Sequence, residues 1–281
     1  MKKILALLLA LTMALGLAAC GTTPAPAEEE GKTDEPTNNG EAVTLRVGAS
    51  PTPHAEILQQ VVEPLKEQGI TLEIVEYGDY VVPNTAVEEG EDDANYFQHT
   101  PYMENHNAKH GTHLVAVAEL HNEPMGIYAG KCTNLDELAD GATIAIPNDA
   151  TNEGRALLLL EAQGLITLKE EAGLECTPND IAENPKNLKF SEMEAAMLPQ
   201  TVEEVDLSVI NSNYALEGGF DPTKDALATE TADTTPYPNI LCVKEGNENN
   251  EAIKALVAAL KTDEVRSFIE ETYKGAVVPL F

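Results

Sequence analysis

An arginine stands at the start of a predicted helix in a chain that has few cations. The segment Thr151-Asn152-Glu153-Gly154-Arg155 directly follows a predicted strand. Free backbone N–H groups and the helix dipole favour an anion at such a position, and the planar guanidinium of Arg155 can hold a carboxylate through two hydrogen bonds. The alternative is a structural salt bridge between Arg155 and one of the many carboxylates of the chain. The spacing alone leaves both interpretations open.

A second candidate is a cluster of aromatic side chains. The seven residues from Tyr96 to Tyr102 contain three aromatics and His99, in a chain with 8 Tyr, 5 Phe and 0 Trp. Such a cluster suits a pocket for an apolar side chain with a few polar groups. An aromatic patch in the core is the alternative.

A third candidate is a pair of amides, Asn211 and Asn213, which follow another predicted strand. An amide both donates and accepts, so the pair suits the ammonium and the carboxylate of an amino acid. The alternative is ordinary turn chemistry, because Asn tolerates the left-handed backbone conformation.

Signatures of catalysis and of metal binding are absent from the sequence. It contains no GxSxG, P-loop or GxGxxG motif, and Asn107 stands where an HExxH motif starting at His106 would need Glu. His99, His110 and His113 lie near His106, but the spacing places no more than two of the four on one helix face. We therefore predict neither an enzyme nor a metal or cofactor site.

The elements that must position these candidates alternate between strands and helices. Leu45–Val47 predicts a strand, the apolar stripe from Ile57 to Leu65 predicts a helix that ends at Gly69 with a kink at Pro64, and Ile70–Ile74 predicts a second strand. This β-α-β unit implies a parallel sheet with a right-handed crossover. Ligands bind such open α/β sheets at the carboxyl ends of the strands. The loops 50–54, 96–102 and 148–155 are predicted to lie there.

The same periodicities predict the rest of the folded part. A strand end and a helix are predicted from Asn95 to His110, a short helix capped by Asn134, and a helix capped by Thr151 that ends at Gly164. The other predicted elements are strands at 114–120, 125–129, 142–146, 188–190, 207–210 and 240–243, and helices at 249–260 and 263–273. About 240 residues are enough for two α/β lobes with a cleft between them.

The first 42 residues predict export and a lipid anchor. Lys2 and Lys3 precede an apolar run from Ile4 to Leu17, which is too short for a stable spanning helix. The ending Leu17-Ala18-Ala19-Cys20 resembles a bacterial lipobox, so residues 1–19 are predicted to be a signal peptide and Cys20 to be lipidated. An ordinary signal peptide that contains a Cys is the alternative. Residues 20–42 predict a flexible tether, with the folded part on the extracytoplasmic side of the cell membrane.

Composition excludes some partners. The chain has 17 Lys+Arg against 48 Asp+Glu, a formal net charge of −31, which argues against nucleic acid and against electrostatic docking on anionic lipid. With Cys20 lipidated, Cys132, Cys176 and Cys242 remain. Their odd number leaves at least one thiol unpaired, and no close pair indicates a zinc site.

Several long motifs, taken together, resemble the NlpA family of methionine-binding lipoproteins. They span 53–58, 92–99, 123–126, 145–149, 151–160, 209–215 and 273–279. The resemblance covers about 43–281 in addition to the lipobox. Thr52 departs from the pattern, because the family has Gly at that position.

The resemblance implies a two-lobed type II periplasmic-binding-protein fold with the ligand in the interlobe cleft. Lobe I would comprise 43–128 and 237–281, and lobe II 129–236. The implied function is to capture methionine outside the cytoplasm and deliver it to the permease and ATPase of an ABC importer, with the binding protein as a monomer. The alternatives are another amino acid, D-methionine or a short peptide on the same fold, or a surface lipoprotein that acts as an adhesin.

The resemblance also implies ligand-binding residues. Aromatic side chains of the first lobe would surround the ligand's side chain, and Arg155 would bind its carboxylate. The implied set is Tyr80, Phe97, His99, Tyr102, Asn152, Arg155, Asn211, Asn213 and Asn239, with the choice between Asn211 and Asn213 left open.

Overall fold

The structure is a computed structural model that describes residues 43–231 and 236–281, all of them within one compact unit. The predicted signal peptide, the predicted lipidation site Cys20 and the predicted tether lie outside the described residues. Within the described ranges, no helix combines the length and the apolar character needed to cross a membrane.

Strands and helices alternate along the described chain. The strands are β1 (Val43–Ala49), β2 (Ile70–Glu76), β3 (Ala94–His99), β4 (Leu114–Asn122), β5 (Gly126–Ala129), β6 (Thr143–Pro147), β7 (Thr167–Leu168), β8 (Ile181–Glu183), β9 (Lys189–Met193), β10 (Leu207–Ile210), β11 (Ala226–Thr229), β12 (Asn239–Lys244) and β13 (Val278–Pro279).

The α-helices are α1 (Glu56–Gln59), α2 (Val62–Lys66), α3 (Val82–Glu89), α4 (Thr100–His110), α5 (Ala150–Ala162), α6 (Leu198–Thr201), α7 (Ser212–Glu217), α8 (Glu251–Leu260) and α9 (Asp263–Tyr273). A helical turn over Pro51–Ala55 leads into α1. Short 3-10 helices cover Leu135–Glu137, Pro178–Asp180, Ala195–Met197 and Val202–Glu204.

Two mixed sheets organise the fold. The first sheet has six strands in the order β13-β4-β12-β3-β1-β2, and the second has five in the order β11-β5-β10-β6-β9. In the first sheet β1 is parallel to β2 and β3, and β12 is antiparallel to β3. The second sheet repeats this arrangement, with β6 parallel to β9 and β10 and with β5 antiparallel to β10. The predicted two-lobed α/β fold is confirmed.

The chain passes between the sheets twice among the described elements. It leaves the first sheet after β4, enters the second at β5, and returns to the first at β12. Because β5 begins at Gly126, the second sheet takes up the chain slightly before residue 129, the start predicted for lobe II. The exact lobe boundaries stay a proposal. Below, the first and second lobes are the six-stranded and five-stranded sheets with the helices packed on them.

Each lobe has its own apolar core. In the first, Val47 of β1 packs with Leu58 of α1 and Leu256 of α8. In the second, Ile144 of β6 packs with Leu157 of α5. Full burial of such a side chain contributes about 1.5–3 kcal/mol. Each of the two sheets is therefore covered by its own apolar core.

The helix with a predicted kink at Pro64 is fully interrupted, and the predicted cap of α5 is wrong. The predicted helix over 57–65 is interrupted, because Gln60 and Val61 donate to carbonyls only three residues back, over 3.1 Å each. Pro64 lacks the N–H that would bond the Gln60 carbonyl, so the helix restarts as α2 instead of continuing. The residue that caps α5 is Asp149, not Thr151, since the Asp149 carboxylate accepts the Asn152 N–H over 3.0 Å.

The three cysteines within the described residues are free. Cys176 and Cys242 are buried and Cys132 is half-buried, and none forms a disulfide. The prediction that at least one of these thiols is unpaired is confirmed.

Candidate ligand-binding site

One cavity is lined by side chains of both lobes and of the segments that cross between them. All nine residues of the predicted ligand-binding set line the cavity, together with Gln98, Glu123 and Ser212, which were not predicted. The contacts of the nine with a ligand stay a prediction.

Strand register explains why several of these side chains meet. β12 lies between β3 and β4, and Asn239 is paired with His99 on one side and with His121 on the other. Glu123 follows β4 directly. The end of the first sheet therefore presents an amide, two imidazoles and a carboxylate to the same region, although these residues are far apart in the chain.

Three aromatic rings form one wall of the cavity. The ring centroid of Tyr80 lies 5.8 Å from the ring centroid of Phe97 and 5.8 Å from that of Tyr102. The centroids of Phe97 and Tyr102 are 6.1 Å apart. The Tyr102 hydroxyl donates to the Tyr80 carbonyl over 3.0 Å. The β3–α4 turn holds this wall in place, because the His99 imidazole caps α4 by accepting the Tyr102 N–H over 3.2 Å. The rings provide an apolar surface with fixed geometry.

Arg155 is buried against a carboxylate at one end of the cavity. Its Nε and Nη2 donate to the two carboxylate oxygens of Glu230 over 2.8 and 2.6 Å. Nη2 also donates to the Glu123 carbonyl over 2.7 Å, and the guanidinium lies 4.4 Å from the ring centroid of Tyr237. Both interpretations of the sequence therefore hold in part, because Arg155 forms a structural ion pair and also lines the cavity. Nη1 takes part in none of these contacts.

The two asparagines present opposite polarity to the cavity. The Asn211 Nδ2 donates to Asn152 over 2.8 Å, and its Oδ1 is a buried acceptor with no partner among the described residues. The Asn213 Oδ1 accepts the Tyr80 hydroxyl over 2.5 Å, and its Nδ2 is a buried donor without a partner in that same part of the chain. One amide is thus left to accept from a ligand and the other to donate to it.

Glu123 is a buried carboxylate held by two histidines. Its Oε1 lies 2.6 Å from the His121 Nε2 and 3.2 Å from the His54 Nε2. Burial alone would raise the pKa of Glu123, but His54, His121 and Arg155 together hold that pKa below its ordinary value. Burial lowers the pKa of His54 to about 4. Near neutral pH, Glu123 is therefore ionised and the His54 ring is neutral.

His54, His121 and Glu123 are also the described residues best spaced to hold a metal ion, with one ligand atom from each within 4.8 Å of the others. Hydrogen bonds between the imidazoles and the carboxylate already account for this spacing. Burial, with the charge of Arg155 as the next cause, lowers the pKa of His99, which also lines the cavity, to about 3. Nε2 of the neutral His99 ring lies 3.2 Å from the Asn152 Oδ1, and this contact joins the two lobes.

The cavity combines a cationic end, an anionic side chain and an aromatic wall. Arg155 and Glu123 carry opposite charges, and the two asparagines add one donor and one acceptor. Buried charges and amides of this kind need complementary partners. The arrangement suits a small zwitterion with an apolar side chain.

Residues 45–281 match the NlpA lipoprotein family. The methionine-binding lipoprotein MetQ of Bacillus subtilis is 39% identical to the chain over 284 residues, which covers 100% of this chain and 99% of the relative. A lipoprotein structure from Ruminococcus gnavus is 54% identical with a TM-score of 0.84, covering 85% of this chain and 100% of that one. The structure of a nutrient binding protein from Burkholderia cenocepacia bound to methionine is 43% identical with a TM-score of 0.82, covering 84% and 100%.

Proposed function

The chain belongs to the NlpA lipoprotein family, and we propose that it binds methionine as a zwitterion outside the cytoplasm and delivers it to an ABC importer. The observation that carries this proposal is the pair of opposite buried charges, Arg155 and Glu123, on one cavity with an aromatic wall. Methionine appears in the name of the Bacillus subtilis relative and is bound in the Burkholderia cenocepacia structure.

The carboxylate of methionine binds at the second lobe. Glu230 and the Glu123 carbonyl occupy Nε and both N–H groups of Nη2 of Arg155, so the two N–H groups of Nη1 donate to the ligand. The unpartnered Nδ2 of Asn213 adds a neutral donor. Charge-assisted hydrogen bonds of this kind are shorter and roughly twice as strong as neutral ones.

The ammonium of methionine binds between the lobes. Oε1 of Glu123 is in contact with the imidazoles of His54 and His121. The second carboxylate oxygen is then left for the ligand. The free Oδ1 of Asn211 is a further acceptor. Asn211 and Asn213 therefore both contact the ligand in this proposal, one at each charged end.

The thioether side chain lies against the rings of Tyr80, Phe97 and Tyr102. Sulfur is polarizable, and contacts between a thioether and an aromatic ring contribute about 0.3–1.5 kcal/mol each. The wall bears no charged group of its own. An amino acid with a charged side chain would therefore lose solvation there without gaining a partner.

Binding stabilises the closed arrangement of the lobes. Tyr80 of the first lobe donates to Asn213 of the second, and His99 meets Asn152 in the same way. A ligand that contacts both lobes favours their closed state by its differential affinity. The importer can then distinguish loaded from empty protein. Lipidation at Cys20 keeps the loaded protein at the membrane surface, and the ligand is released unchanged because the protein acts as a receptor and not as an enzyme.

The direct test is to denature freshly purified full-length protein and identify the released small molecule by mass spectrometry. We expect unmodified methionine. Calorimetric competition against a panel of amino acids, D-methionine and short peptides then ranks the ligands. Release of a different amino acid would replace the ligand and keep the receptor class. No ligand and no change of melting temperature with any member of the panel would favour the adhesin alternative.

A further inference from the structure

His54 lies in the motif at 53–58, and His121 lies on β4. In the structure His54 and His121 are 1% and 0% exposed, and both point an Nε2 at the same oxygen of Glu123. Two rings from different elements thus converge on one carboxylate. That carboxylate is the group proposed to bind the ligand's ammonium.

The hydrogen bonds show which ring nitrogen of each histidine faces Glu123. Nδ1 of His121 meets the hydroxyl of Tyr96, which leaves its Nε2 to donate to Glu123. Nε2 of His54 is shared between Glu123 and the Oδ1 of Asn239, 2.9 Å away, and both of these are acceptors. The His54 Nδ1 has no hydrogen-bond partner among the described residues, as expected for the unprotonated nitrogen of a neutral ring.

We propose that His121 and His54 are positioning residues that keep Glu123 ionised and direct its second oxygen toward the ligand's ammonium. This inference rests on the proposed function, since it assigns the ammonium to Glu123. Neither histidine is required to touch the ligand. Tyr96 and Asn239 orient the two rings.

The physical reason is the cost of burying a carboxylate. The Glu123 residue is 5% exposed, and a carboxylate this deep takes up a proton unless donors or positive charges stabilise the ionised form. His121 provides the shorter of the two imidazole bonds. Without it, the pKa of Glu123 rises toward the assay range, and a protonated Glu123 offers an ammonium no charge.

Other titratable groups surround Glu123 and must be considered in a pH experiment. They are His54 on the turn before α1, Tyr80 before α3, Tyr96 and His99 on β3, His121 on β4, Arg155 on α5, Glu217 on α7 and Tyr273 on α9. Burial raises the pKa of Glu217 to about 7, with Glu123 a further cause. Glu217 titrates in parent and variants alike, so the informative quantity is the ratio of their dissociation constants.

The experiment compares methionine binding at pH 7 and pH 5 by calorimetry, using the full-length chain. His121→Leu removes the donor, and His121→Gln retains an N–H that can reach Glu123. His106→Leu is the matched control, because His106 is a buried histidine on α4 that bonds Thr112 instead of Glu123. Methionine remains a zwitterion at both pH values.

We expect the variant-to-parent ratio of Kd to rise at least tenfold between pH 7 and pH 5 for His121→Leu. The ratio should stay within about twofold for His121→Gln and for His106→Leu. Should His121→Leu fail to fold, Tyr96→Phe tests the same inference by removing only the hydroxyl that orients His121. A two- to threefold rise in the ratio is expected for it.

A ratio for His121→Leu that is equal at the two pH values would overturn the positioning role, because a purely structural defect weakens binding without this pH dependence. The same holds for Tyr96→Phe if it is the variant measured. In both cases tight methionine binding by the parent would leave the proposed function intact. A parent that fails to bind methionine at all would instead refute the proposed function.

Discussion

Replacing Arg155 with Ala tests both the carboxylate site and the ion pair behind it. The side chain is buried and makes three hydrogen bonds, two to the Glu230 carboxylate and one to the Glu123 carbonyl. The variant leaves Glu230 without its cation. It also removes the only buried positive charge among the residues that line the cavity in the described chain.

The structure sets the expected size of both effects. Removing one partner of a buried ion pair costs about 3–5 kcal/mol of stability. Glu230 keeps one donor, the Met125 N–H at 2.8 Å, and its side chain is 13% exposed, so we expect the lower end, about 3 kcal/mol. Truncating one partner of a buried charge contact with a ligand costs about 2–5 kcal/mol of binding. At about 1.4 kcal/mol per factor of ten, methionine should bind about 30- to 4,000-fold more weakly.

Calorimetry with methionine and chemical denaturation measure the two effects separately. The double variant Arg155→Ala/Glu230→Ala should recover part of the stability, since no carboxylate is left unpaired, but it should recover none of the affinity. Arg46→Ala is the control, because Arg46 pairs with Asp92 in the first lobe and does not line the cavity. Parental affinity in Arg155→Ala would refute the assignment of the ligand's carboxylate to this end of the cavity.

Three further predictions follow from single residues. Asn213→Ala removes the unpartnered Nδ2 and should weaken methionine binding about 10- to 100-fold by calorimetry; an unchanged Kd would exclude this donor. Gly154→Ala would place its Cβ 2.2 Å from the Leu174 carbonyl oxygen, so we expect a loss of about 1–3 kcal/mol in urea unfolding, and parental stability would contradict that close approach. Burial raises the pKa of Glu153 to about 7. The parent protein therefore loses stability as pH rises from the pKa that Glu153 has in the unfolded chain to about 7. The melting temperature of Glu153→Gln should therefore exceed that of the parent at pH 8 and equal it at pH 4. Equal melting temperatures at both pH values would contradict the raised pKa of Glu153.

Much of the fold follows from local patterns in the sequence. The alternation of apolar residues in β2 reflects the period of a strand, which depends only on backbone geometry. Short elements such as α6 and β11 were not predicted, because a few residues provide too little periodicity. α3 was also missed, since only Pro83, Asn84, Ala86 and Val87 of its eight residues are buried and they form no strong apolar stripe.

The candidate site also contains residues that local sequence patterns predict and residues that they do not. The aromatic segment after β3 and the arginine at the start of α5 were visible in the sequence, because each is a compact cluster at a strand–helix junction. Glu123 appeared only as part of the motif 123–126, which carries the family resemblance. No local pattern indicated that its charge is buried. Glu230 gave no signal, since an acidic residue at the end of a short strand is ordinary in a chain with 48 Asp+Glu.

The sequence by itself determined which residue types stand at the ends of strands and helices, and so which chemistry each loop can provide. Only the tertiary structure decided the pairings, such as Arg155 with Glu230, 75 residues away, and His54 with Asn239, 185 residues away. The physical reason is that strand order and register bring distant segments together, whereas helix and strand periodicity acts over a few neighbours. Whether a buried arginine is neutralised, and whether a buried carboxylate stays charged, depends on those distant partners.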